Sequence, residues 1–194
     1  MLYPQSYGAG DDPIFTGLRA RACTPSQAEH VVESVTSRTI DLPAGVAFDR
    51  LTALRNHERL IPLTTIEAPS RRPRVGDVVV ATTAGLIIDT MELVRYEPPA
   101  SHAVGRATWI KQGPALHGEA EILVTRLSEG ACRVDWIERD IRIPGQPLTT
   151  RPLTAATGVM TRLALARFDR LVRASTRNRP PRGHPGAPRS HMVR

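Results

Sequence analysis

The sequence predicts an α+β fold: a curved antiparallel sheet of about seven strands around one long C-terminal helix, with two short helices after the first strand. Three observations carry this. From Leu63 to Ile143 the chain is a succession of short Val-, Ile- and Thr-rich segments separated by turn-prone residues, as in strands joined to antiparallel neighbours. From Ala155 to Val172 the period changes: Leu153, Thr157, Met160, Ala164, Phe168 and Leu171 recur at steps of three and four and share one helical face. Upstream, Ala44 to Leu54 has the same helical spacing in Val46, Ala47, Leu51 and Leu54.

In chain order, His30–Ile40 (HVVESVTSRTI) reads as the first strand, and Asp41-Leu42-Pro43 ends it. The helix over 44–54 and a second short one over Asn56–Leu60 follow, stopped at Pro62. The meander then comprises Leu63–Ala68, Val78–Thr83, Leu86–Tyr96, His102–Gln112, Gly118–Leu127 and Ala131–Ile143. PSRRPRVGD separates the first two, and Ser128-Glu129-Gly130 makes a short hairpin connection. Pro144-Gly145-Gln146-Pro147 closes the last strand, and Pro152 precedes the long helix, where a missing N–H costs little. Arg162, Asp169, Arg170 and Arg173 fall on the polar side of that helix, and Arg167 on its flank. One helix covers one face of such a sheet, and a strongly curved sheet around it encloses a space.

Composition narrows the function classes. The 194 residues suffice for one domain with tails. The formal charge is +7, and the segment 176–194 holds five arginines and no acid, so +5 belongs to that stretch and +2 to the rest. With its four prolines and two glycines, that stretch is expected to be a disordered, solubilising basic tail; nucleic acid or an anionic surface is the alternative partner, weakened by the lack of interleaved aromatics. Residues 1–28 have no sustained period and read as irregular. No run of 18 apolar residues and no basic-then-apolar start occurs, so neither a membrane span nor a secretory signal is expected. Cys23 and Cys132 make no disulfide framework, which fits a reducing cytoplasm. Lys111 is the only lysine, a bias that genomic base composition can produce and to which no function is attached. His30, His57, His102, His117, His184 and His191 lack metal-ligand spacing, and no HExxH, CxxC, Walker loop, GxGxxG or GxSxG occurs, so no metal or cofactor is expected.

Several pieces, taken as an ordered series, carry a resemblance. They are Ile40-Asp41-Leu42-Pro43, the run Asn56-His57-Glu58-Arg59-Leu60-Ile61-Pro62-Leu63-Thr64-Thr65, Val75-Gly76-Asp77, Met91-Glu92-Leu93-Val94-Arg95-Tyr96-Glu97-Pro98-Pro99, and Gly130-Ala131-Cys132-Arg133-Val134-Asp135-Trp136. Over roughly 30–174 the chain resembles the START-like helix-grip superfamily (SRPBCC), in particular its bacterial branch of polyketide cyclase/dehydrase and lipid-transport proteins. The resemblance implies a helix-grip domain over 29–175 with a pocket between sheet and helix. It implies no shared catalytic signature.

Candidate residues follow from alternation along the strands. Cys132, Val134, Trp136, Glu138 and Asp140 share one face, and Arg133, Asp135, Ile137, Arg139 and Ile141 the other. Trp136 could wall a cavity and Glu138 bind a ligand's polar group; the plainer alternative is a core Trp and a Glu paired with an arginine. Gly105, Ala107, Trp109 and Lys111 share a face opposed to Val104, Arg106, Thr108 and Ile110. Trp109 could be a pocket wall and Arg106 a contact for a carboxylate or phenolate, or Arg106 could be solvated; the sequence leaves the inner face open. Met91 and Met160 suit a variable apolar ligand and equally a plain core. Asp89 and Glu92, flanking Met91, read as surface acids, and His57 beside Glu58 as structural.

The expected function is binding of a hydrophobic small molecule (lipid, quinone or aromatic polyketide-like) between sheet and helix. Met91, Trp109, Trp136, Met160 and Phe168 are the candidate lining, with Arg106 or Glu138 as the polar contact. One alternative is a polyketide aromatase/cyclase-type enzyme, in which Glu138 and His57 are the acid–base candidates. Another is an interaction module with a filled core and a basic tail.

Overall fold

The computed structural model describes residues 31–100 and 103–177. The proposed irregular segment 1–28 and the basic tail lie outside the described residues, except Thr176 and Arg177, which continue the last helix.

Seven strands form one sheet: β1 (Glu33–Ile40), β2 (Thr64–Glu67), β3 (Val78–Thr83), β4 (Ile87–Glu97), β5 (Gly105–Gln112), β6 (His117–Arg126) and β7 (Cys132–Arg142). Their order is β1-β7-β6-β5-β4-β3-β2, every neighbour antiparallel. The chain crosses from one edge to the other once, between β1 and β2. Helix α1 (Ala44–Thr52) and a 3-10 helix, Leu54–Arg59, occupy that crossing. The β6–β7 hairpin closes at Ser128–Gly130, where Leu127 N–H donates to the Ala131 carbonyl at 3.0 Å.

Helix α2 (Thr150–Arg177) runs over the concave face. It starts five residues before the expected Ala155, with Pro152 in its first turn, where the ring displaces no intrahelical hydrogen bond. Its buried face is rotated from the predicted one. Thr154, Gly158, Thr161, Ala164, Leu165, Phe168, Asp169 and Val172 are buried, whereas Leu171 is 50% exposed. Hydrogen bonds and close approach set the rotation. The Thr154 hydroxyl accepts from Ile141 N–H at 3.1 Å, and the Thr36 and Thr161 hydroxyls meet at 2.9 Å. A Cβ on Gly158 would stand 2.0 Å from Ser34 Oγ, so glycine lets the helix come this close to β1 without moving Ser34. Asp169 is also a correction: it is buried between Arg38 of β1 and Arg173, not solvated. Burial raises its pKa, but hydrogen bonds from Arg173 and Arg38 outweigh that and hold the carboxyl below its usual range.

One end of the interface is solid. Ile40, Phe48, Leu51, Val124, Cys132, Val134 and Leu165 are at most 0% exposed there, with Val172 at 1%. Phe48 of α1, not the exposed Val46, fills this end and packs on Tyr96 with ring centroids 5.3 Å apart. No described helix is long and apolar enough to cross a membrane.

Candidate functional site

The other end is hollow. A cavity of about 250 Å³ lies between the sheet and the N-terminal half of α2. Its walls are apolar: Ile66, Ala81, Met91, Trp109, Ile122, Trp136, Leu153 and Met160 among them. Strand register explains the space. Trp109, Ala120 and Glu138 lie side by side across β5, β6 and β7, and Lys111 faces Gly118. Ala120 of β6 leaves room that a larger side chain would fill. Gly118 has φ +138°, and a Cβ there would meet the Arg139 carbonyl at 2.7 Å, so the backbone of β7 approaches this residue too closely for any side chain.

At one place the wall is ionic. Lys111, 5% exposed, donates from Nζ to Asp89 Oδ2 at 2.5 Å and to Met91 Sδ at 3.5 Å. Its Nζ stands 3.8 Å from Glu138 Oε2, too far for a hydrogen bond. Glu138 is 1% exposed; its Oε1 accepts from Trp136 Nε1 at 3.0 Å, a contact that follows from their i, i+2 placement on β7. Two carboxylate oxygens, Asp89 Oδ1 and Glu138 Oε2, are buried without a hydrogen-bond partner among the described residues. His57 lies against Trp136, ring centroids 5.1 Å apart, and its Nε2 donates to the Leu51 carbonyl at 2.7 Å. The neutral ring therefore keeps its lone pair on Nδ1.

Burial and charge oppose each other in this cluster. Burial is the largest effect on Lys111 and lowers its pKa, but the Glu138 and Asp89 charges and the Asp89 hydrogen bond outweigh it, so the ammonium is held protonated. Burial pushes the Glu138 carboxyl up; Lys111 opposes this, Asp89 reinforces it, and the Trp136 hydrogen bond opposes it, with a net rise. Burial lowers His57 to about 4, with the Leu51 hydrogen bond opposing and the Lys111 charge assisting. Such a site can seat an apolar molecule, donate to its oxygen from an ammonium, and exchange a proton with a carboxyl of raised pKa.

Met91, Trp109, Trp136, Glu138 and Met160 come together in the lining. Arg106 and Phe168 do not. Arg106 is on the opposite sheet face, where its Nη1 donates to Glu121 Oε1 at 2.7 Å. Phe168 lies two helical turns beyond Met160, beside Leu60 and Leu171 at the solid end. Among the described residues Glu138 pairs with no arginine; Arg139, next in sequence, points to the other face and binds Glu33, Glu119 and Glu121. The expectation of a surface Asp89 is corrected: its side chain is 13% exposed and lines the cavity. Asp89 shares strand parity with Met91, and Lys111 with Trp109. That shared parity was the available signal for both. Among the described residues no group of three or more His, Cys, Asp or Glu could hold a metal ion.

No protein-family model matches the chain, and no curated protein matches it. Solved structures do. The di-domain aromatase/cyclase BexL of the BE-7585A biosynthetic pathway is similar with a TM-score of 0.56 and 17% identity, over 74% of this chain and 47% of that one. This chain thus spans about half of that di-domain protein. The Zhui aromatase/cyclase from Streptomyces sp. R1128 is similar with a TM-score of 0.50 and 15% identity, over 73% of this chain and 96% of that one. Norcoclaurine synthase from Thalictrum flavum gives 0.53 and 13%, over 75% and 96%. Likeness at this level is likeness of fold: the chain has the helix-grip fold.

Proposed function

We propose that this protein binds a hydrophobic, ring-bearing or acyl small molecule, of lipid, quinone or aromatic polyketide-like class, in the cavity between the sheet and α2. The observation that carries this is the hollow itself, about 250 Å³ with mainly apolar walls in a sheet whose other end is solid. Burying apolar ligand surface there contributes on the order of 2.5 kcal/mol for about 100 Å², and the Lys111–Asp89–Glu138 cluster sets orientation. A filled-core interaction module would need side chains where this cavity lies.

A second reading, an aromatase/cyclase-type enzyme, is favoured by one observation: Glu138 is buried in the cavity wall with a raised pKa beside a protonated lysine. Such a pair can move a proton to or from a carbon next to a carbonyl, the step that enolisation and dehydration need. Two of the structurally similar proteins are described as aromatase/cyclases.

Native mass spectrometry of gently purified protein tests the binding reading. The expected result is an adduct of a few hundred daltons, on the scale of drug-sized ligands, that Ala120→Leu removes by filling the space between Trp109 and Glu138. A bare mass, with no thermal shift from lipids, quinones or aromatic polyketides, would overturn it. Turnover of a polyketone that survives replacement of both Glu138 and His57 would remove them as the acid–base groups of the second reading.

A further inference from the structure

The wall of the cavity prescribes the polar group of its ligand. Glu138 Oε2 is a buried acceptor with nothing donating to it, and leaving such an atom unpaired is costly. Lys111 has three N–H groups, of which Asp89 and the weakly accepting Met91 sulfur engage two. The remaining donor and the orphaned acceptor stand 3.8 Å apart. One oxygen at about 2.8 Å from each, on the cavity side, would satisfy both. That oxygen must accept one hydrogen bond and donate another.

Few groups meet the demand. An ammonium has no lone pair for Lys111 and adds a second cation beside it. A carboxylate or phosphate adds an anion beside Asp89 and Glu138. An ether or ketone oxygen accepts from Lys111 but offers no hydrogen to a Glu138 carboxylate. A hydroxyl does both. Trp109 and Trp136 line the same space and give a flat ring large apolar walls, and about 250 Å³ suits one or two fused rings.

We infer that the cavity is selective for hydroxylated aromatic rings, with the ring hydroxyl bridging Lys111 Nζ and Glu138 Oε2. Asp89 Oδ1, the second orphaned oxygen, is a further acceptor on the same wall. The inference rests on the small-molecule reading above and specifies its ligand. The raised pKa of Glu138 makes it a competent acceptor for the hydroxyl proton: the O–H bond breaks, the proton moves to Oε2, and the aryl oxyanion left behind stays paired with the Lys111 ammonium.

The test compares three probes on the wild-type full chain by isothermal titration calorimetry: 1-naphthol, 1-methoxynaphthalene and 1-tetralone. The expected result is that 1-naphthol binds at least tenfold more tightly than either, because a site with buried polar groups rejects an analogue that leaves them unpaired. Glu138→Leu should reduce the preference for 1-naphthol over 1-methoxynaphthalene to less than threefold. Equal binding of all three probes to the wild-type protein would overturn the hydroxyl selectivity and leave the cavity reading standing. Tighter binding of 1-tetralone would overturn it in favour of a carbonyl held by a protonated Glu138. No binding of any probe, with no adduct in native mass spectrometry, would overturn both.

Discussion

The two faces of the sheet each bury a glutamate, and the two are treated differently. Glu121, on the face away from α2, is 2% exposed and Glu138, on the concave face, is 1% exposed. Glu121 Oε1 accepts from Arg106 at 2.7 Å and from the Thr108 hydroxyl at 3.3 Å, and Oε2 pairs with Arg139 at 3.0 Å. Both of its oxygens are engaged, by two cations whose side chains are 36% and 26% exposed. Glu138 and Asp89 share one cation, Lys111, and each leaves an oxygen unpaired. Equal burial therefore has two meanings. A buried carboxylate with every lone pair engaged holds strands together; one with an idle lone pair keeps an unmet demand for a donor.

The contrast predicts unequal dependence on single cations. Lys111→Met leaves Asp89 and Glu138 buried without a counter-ion and should cost about 3–5 kcal/mol, read as a lowered midpoint in urea at constant slope. Adding Asp89→Asn and Glu138→Gln to it should recover most of the loss. A cost under about 1 kcal/mol for Lys111→Met alone would mean that the inner cluster is as redundant as the outer one, and the comparison would fail.

Acid should weaken the inner face first. The folded-state pKa of His57 is about 4, below its ordinary 6.5. The folded protein thus takes up this proton less readily than the unfolded chain. The stabilising contribution is complete above pH 6.5 and is lost as pH falls from there through about 4. It amounts to about 3 kcal/mol. Glu138 runs the other way: its raised pKa makes its contribution largest at low pH and lost as pH rises through the folded value. His57→Gln should flatten the fall in urea-derived stability between pH 7 and pH 4, and an unchanged fall would place the acid sensitivity elsewhere.

The smallest effect is expected outside. Arg106→Ala leaves Glu121 paired with Arg139 and Thr108, so it should cost about 1 kcal/mol or less and leave 1-naphthol affinity within twofold. A large loss of affinity from this variant would return Arg106 to the ligand site.

The strands, the two short helices and the final helix were legible because periods of 2 and 3.6 are properties of the chain itself. Their ends moved by a few residues: β1 begins at Glu33, and α2 runs from Thr150 to Arg177. Five of the seven candidate residues meet in the cavity because alternation groups Met91 with Asp89, Trp109 with Lys111 and Trp136 with Glu138. The same alternation put Lys111 and Asp89 on those inner faces, but their charge concealed it. Charged residues read as exposed when nothing identifies a partner, and the partners here lie 22 and 27 positions from Lys111 in the chain.

By itself, then, the sequence determined which side chains travel together, since strand alternation and helical spacing are local. Only the tertiary structure decided which set faces inward. That depends on pairing between distant segments and on where α2 seats. Arg106 faces out because Trp109 and Lys111, of opposite parity on β5, face in. The buried stripe of α2 is turned by one residue because Gly158 and Thr161 meet Ser34 and Thr36 of β1. The hollow has the same origin: Ala120 looks unremarkable in sequence, and becomes part of a cavity wall only once β5 and β7 lie on either side of it.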